Sequence, residues 1–239
     1  MSAERPGGSP APAREGAVSD ARGTAYLTAA KLYFLATGAQ LPILLARILP
    51  PDRYGVYKVV TGAMTVVNAL LVTGALQSVS KFVAEDLGRS PEVHRKALLL
   101  QTALGAGAAL LFMLASPLMA AGLRDPHLTP FLRLAALAIA TFGLYAVFMG
   151  TMNGRGFFGK QAALDFTYST AKVGLILGFA WIGSVAGALV GFASAGLAVG
   201  VLGLAFAGTG RWGERFSMRK LLGFAAGARS VTLVVDLLL

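Results

Sequence analysis

Cysteine is absent from the 239 residues, which excludes disulfides, cysteine-ligated zinc and thiol nucleophiles together. Charge is scarce too: Asp, Glu, Lys and Arg make up 13% of the chain against 56% hydrophobic residues. That is too little polar surface for a water-soluble domain. The only two histidines, His94 and His127, lack a second His, Asp or Glu at helix-face spacing, so no metal is expected. The carboxylates Asp52, Glu85, Asp86 and Asp125 fall between apolar runs, without the pairing that acid–base or metal-assisted chemistry needs. Neither an enzymatic activity nor a cofactor is expected.

What the chain does have is long apolar runs, with a mean hydropathy of +0.68. They predict an all-α, polytopic membrane bundle of six transmembrane helices and the start of a seventh. A net charge of +10 in a soluble domain would point to nucleic acid; here the cations stand mostly between the runs and set orientation, and no nucleic-acid partner is expected.

Residues 1–23 are rich in Pro, Gly, Ala and Ser and read as an unstructured basic tail. Residues 24–210 form the predicted six-helix lobe, 211–221 a basic, amphipathic surface linker, and 222–239 a seventh helix cut short. The first span runs from about Ala25 to Leu49, with Lys31 snorkelling near its start. Gly38 and Pro42, four residues apart within it, predict either a hinge or a tolerated bend. Pro50 and Pro51 then end that helix, Asp52 can cap the next, and Tyr54 and Tyr57 suit the lipid–water boundary. The following spans are Val59 to Ser80, Ala97 to Leu123 and Leu134 to Gly154. From Val173 to Gly210 the chain carries no charge. That run is too long for one span and divides at Trp181-Ile182-Gly183-Ser184, giving a fifth helix from about Gln161 to Ile182 and a sixth from Ser184 to Phe206. Glycines at Gly174, Gly178, Gly183, Gly187, Gly191, Gly196 and Gly200 predict close helix packing.

Lys31, Lys81, Arg89, Arg95, Lys96, Arg155, Lys160, Arg211, Arg215, Arg219, Lys220 and Arg229, with the tail's arginines, fall on one predicted side. Arg47, Arg53, Lys58, Arg124 and Arg133 fall on the other. The excess predicts a cytoplasmic N-terminus.

Lys172 belongs to neither set, because it lies near the middle of the fifth span. A lysine at bilayer depth costs roughly 2.5 to 3.5 kcal/mol even on insertion scales, unless it meets a partner or a wet cavity. Asp165 and Ser169 share its helix face, so the lysine is either a structural contact or a ligand-binding group. Tyr33, Thr37, Gln40 and Arg47 make a polar stripe on the first helix, and Lys58, Thr61, Thr65 and Asn68 make another on the second. Both are read as lining a cavity for an anionic, sugar-bearing ligand or as helix–helix and headgroup contacts. Asp236, seven residues after Arg229, is the candidate ion-coupling site.

Leu44-Leu45-Ala46-Arg47-Ile48-Leu49-Pro50-Pro51-Asp52-Arg53-Tyr54-Gly55-Val56-Tyr57 resembles the first hairpin of the polysaccharide-exporter (oligosaccharide flippase) family. Gly74 to Glu85 resembles that family's second-helix ending, and Met152 to Lys160 its turn before the fifth helix. The resemblance implies one lobe of a two-lobed exporter that moves an undecaprenyl-diphosphate-linked oligosaccharide across the bacterial inner membrane, driven by an ion gradient. It implies a lipid bilayer, that lipid-linked oligosaccharide, and either a missing C-terminal lobe or self-association as partners. Lys172, Arg47 and Lys58 would then attract the diphosphate, and the Thr, Asn and Gln stripes would meet sugar. A cation-coupled multidrug exporter, a non-transporting half-size remnant and a membrane enzyme of lipid-linked sugar metabolism are the alternatives. The basic stripes speak against a carrier of cationic drugs.

Overall fold

A computed structural model of the chain describes residues 12–211, 213, 216–225 and 227, with side-chain surroundings from residue 23 on. Helix α1 is Pro12–Ile48, α2 Pro51–Glu85, α3 Ser90–Gly122 and α4 Thr129–Gly154, and the run Phe158–Ala207 follows. Its 50 residues would stretch to about 75 Å if straight, far beyond an apolar layer of about 30 Å. The run instead doubles back at Ser184, whose φ of 57° and ψ of −135° leave helical geometry. We number the two halves α5 (158–183) and α6 (185–207). Six helices of the described residues therefore have the length and hydropathy to cross a bilayer, the last two as one hairpin.

Hydropathy located these helices but understated their length. α2 begins at Pro51 rather than near Val59, and α3 at Ser90 rather than near Ala97, because intrahelical hydrogen bonding continues into polar sequence where hydropathy has already fallen. α1 likewise reaches back to Pro12, into the stretch expected to be an unstructured tail. Its stretch Gly23–Ile48 is long and apolar enough to cross a bilayer. α1 also runs on through Gly38 and Pro42. Asp52 does not cap α2: Pro50 occupies the cap position without a side-chain bond, Pro51 fills N1, and Asp52 falls in the first turn. A proline there gives up only an N–H that the helix would have left unpaired.

α4 sits at the centre. Every residue from Ala146 to Met152 is buried, as expected of a helix apolar all round, and α2, α3, α5 and α6 pack around it. α1 leans on α5 and barely touches α2. The glycines are used selectively. A side chain at Gly187 would run into the Phe179 carbonyl and one at Gly191 into that of Leu175, so these two set the α5–α6 spacing. Gly196 and Gly203 admit Thr141 and Phe148 of α4, whereas Gly174, Gly178, Gly183 and Gly200 face open space. The expected small-residue seam is thus built on the α6 side.

The linker after α6 does not simply lie along a surface. Phe216 and Leu221 are buried against Val79, Val83, Val93, Ala97 and Val147, and residues 218–225 are helical. Trp212, Arg215, Arg229, Asp236 and most of the expected seventh span lie outside the described residues.

Candidate functional site

On α5 the polar residues Gln161, Asp165, Ser169 and Lys172 step by four, four and three, and Tyr168 lies beside them. Helical spacing puts all five on the face that α4, α6 and α1 cover. Gln161, Asp165, Tyr168 and Ser169 are buried and Lys172 is half-buried.

Lys172 lies among aromatic rings. Its Nζ stands 5.3 Å from the Phe192 centroid on α6, 5.7 Å from Phe34 on α1 and 5.9 Å from Tyr168 on α5. Three negative ring faces around an ammonium offset part of its desolvation, each by about 0.5 to 2 kcal/mol. Among the described residues no carboxylate approaches within ion-pair distance of it. Phe34, Thr37, Gly38 and Ser169 join Lys172 around a narrow recess of about 10 Å³, room for a single water. Apart from the neighbouring backbone of its own helix, no described atom lies within 4 Å of where a Gly38 side chain would begin.

Asp165 is satisfied from a different direction. The Tyr145 hydroxyl of α4 donates to its Oδ1 in a very short bond, and Ser169 Oγ donates to the Asp165 carbonyl at 2.8 Å. Tyr145, Tyr168 and Phe142 stack into one aromatic layer, with centroids 5.1 to 5.5 Å apart. Two buried oxygens near Asp165, Tyr168 Oη and Gln161 Oε1, have no hydrogen-bond partner among the described residues.

The expected stripes come together only in part. Tyr33 bonds Thr170 of α5 at 2.9 Å and stacks on Phe166 at 4.2 Å, which ties the first helix to the fifth beside the recess. Thr37 lines that recess but donates to its own backbone, at Tyr33 and Phe34. Gln40 and Arg47 are exposed. On α2 the stripe divides: Lys58 and Thr65 are exposed, while Asn68 is buried with an unpartnered Oδ1. Thr61 and Thr65 donate to the backbone one turn earlier, the usual resting bond of a helical hydroxyl. No described contact joins Arg47 or Lys58 to Lys172. The residues missed in the sequence are Tyr145, Tyr168, Phe34 and Phe192. Aromatics within apolar spans look like ordinary core until their neighbours are known.

Six apolar helices around a buried, partly unsatisfied polar seam define a multi-pass membrane protein rather than a soluble domain. The chain matches the family model described as polysaccharide biosynthesis protein over residues 21–235. It belongs to that family, as the resemblance of its first hairpin implied. No curated protein and no solved structure matches it.

Proposed function

We propose that this chain is the lobe of a transporter that carries an undecaprenyl-diphosphate-linked oligosaccharide across the bacterial inner membrane. Family membership supports a role in polysaccharide biosynthesis and export. The observation that favours a lipid-linked anion is Lys172, a cation halfway along α5, held by rings instead of a carboxylate. An ammonium without a fixed counter-ion is free to take a phosphate charge. Thr37 and Ser169 at the same recess, with the unpartnered hydroxyl of Tyr168, supply groups that hydrogen-bond sugar or phosphate oxygens. Arg47 and Lys58, at the end expected to face away from the cytoplasm, would act later, attracting the diphosphate where it arrives. No catalytic role is assigned to any residue.

The test is complementation of surface-polysaccharide export by Lys172→Ala, Lys172→Gln and Lys172→Arg, each checked for normal protein level. Export lost in the first two and retained in part by arginine is the expected result. Unchanged export in Lys172→Gln overturns the assignment. Asp165, a buried carboxylate beside aromatic rings, favours the second reading, a carrier of organic cations. That reading predicts drug resistance that Asp165→Asn abolishes and Lys172→Gln spares.

A further inference from the structure

After α6 the chain is tied to the start of α3 at four backbone points, on Gly208, Arg211 and Phe216. His94 lies 3.0 Å through Nε2 from the Gly208 carbonyl and 2.7 Å through Nδ1 from Thr151 Oγ1. A carbonyl only accepts, so Nε2 carries the proton and Nδ1 accepts from the threonine. Arg211 N donates to the Pro91 carbonyl at 3.0 Å. At Phe216 both backbone groups are held at once. Its N–H donates to Glu92 Oε1 at 2.8 Å, and Lys96 Nζ donates to its carbonyl in a very short bond while holding the same Glu92 oxygen at 2.9 Å.

Among the described residues this ion pair differs in kind from the other two. Lys81–Glu85 and Arg89–Asp86 are half-exposed pairs, which ordinarily contribute almost nothing. Glu92 and Lys96 have side chains only 11% and 15% exposed, and each spends a bond on a backbone group more than a hundred positions away. Below them the Phe216 ring meets Phe82 edge-on at 5.2 Å, and Leu221 is 2% exposed. Gly210 takes a φ of +73°, and a side chain there would strike the Pro91 carbonyl and Arg95. Gly213 lies against the Glu92 carboxylate in the same way. The two glycines let the backbone press onto α3.

We propose that the described residues 208–211, 213 and 216–221 form a strap locked to α2 and α3 by a Glu92–Lys96 clasp. Through it the helix beginning at Met218 moves as part of this lobe, so that any pivot toward later sequence lies beyond the clasp. Charge-assisted bonds to backbone groups, in a site partly closed to water, are strong enough to hold such a segment against local opening. Phe224 extends the dock, with its ring 5.9 Å from Phe82 and 4.3 Å from Lys81 Nζ.

The test is limited trypsin digestion of the full chain in detergent. Arg219 and Lys220 are exposed, as is Arg124 in the α3–α4 turn at the opposite end of the bundle. In Glu92→Ala and Lys96→Met, cleavage after Arg219 and Lys220 is expected to speed up about tenfold, because the rate follows the open population. Cleavage after Arg124 stays at the parent rate. The charge-exchanged double variant, Glu92→Lys with Lys96→Glu, separates a clasp from a plain ion pair. A lysine at 92 cannot accept from the Phe216 N–H, so the exchange fails to restore protection. Unchanged cleavage after Arg219 and Lys220 in both single variants overturns the proposal. So does full protection in the exchanged pair, or equal acceleration after Arg124.

Discussion

Tyr145 donates its phenolic hydrogen to the Asp165 carboxylate across the α4–α5 contact, and this bond, not an ion pair with Lys172, is what satisfies the buried acid. The arrangement leaves the acid and the lysine seven residues apart on one helix with separate partners.

Tyr145→Phe strips the buried carboxylate of its donor and is expected to cost about 1 to 3 kcal/mol. Tyr145→Phe with Asp165→Asn recovers part of that loss, because a neutral amide is cheaper to bury than a carboxylate. Unfolding in mixed micelles measures both, and equal stability of Tyr145→Phe and the parent contradicts the bond.

Tyr168 is 1% exposed with an unpartnered hydroxyl. Removing that oxygen in Tyr168→Phe leaves the ring stack intact and relieves a desolvation cost, so stability is expected to hold or to rise by about 1 kcal/mol. If the hydroxyl meets ligand, the same variant exports less polysaccharide while melting no lower. A drop in melting temperature would show that the hydroxyl is structurally bonded.

The glycines of the α5–α6 hairpin divide into two groups with opposite expectations. Gly187→Ala and Gly191→Ala drive a methyl into facing backbone and are expected to destabilise by about 1 to 3 kcal/mol. Gly174→Ala and Gly178→Ala meet nothing within 4 Å and gain helix propensity, up to about 1 kcal/mol. Thermal unfolding of the four single variants in one detergent decides the matter.

Ser184 adopts a backbone conformation that L-residues rarely take, and its hydroxyl accepts from Arg53 Nη1 at 3.0 Å, stapling the α5–α6 turn to the start of α2. Ser184→Gly removes the strain and is expected to stabilise by about 1 kcal/mol, less the small loss of an exposed hydrogen bond. Ser184→Val keeps the strain and loses the bond, so it should melt below the parent. The reverse order of melting temperatures would show that the turn is not strained.

The spans were legible because each rests on a local property. Uncharged runs are long enough to cross a bilayer, the double proline at 50 and 51 has to break a helix, and a charge-free stretch of this length has to fold back near Ser184. Lys172 stood out for the same reason, as a charge where charge is costly. The site around it was less legible. Asp165 and Ser169 were placed on its face by spacing alone, but Tyr145, Phe34 and Phe192 come from three other helices.

By itself, then, the sequence determined the class of protein, the order of the helices and the presence of a lysine within an apolar span, since hydropathy, proline and charge act within a single segment. The tertiary structure alone decided that Asp165 faces Tyr145, that three rings surround Lys172, that the α2 stripe divides between Asn68 and the exposed Lys58 and Thr65, and that the strap docks on Glu92 and Lys96. In lipid, the faces turned to neighbours and the faces turned to acyl chains are both apolar. The periodicity that would tell one from the other in water is therefore weak here. Helix rotation and the choice of neighbour are settled by close packing and by a few buried hydrogen bonds between segments far apart in the chain.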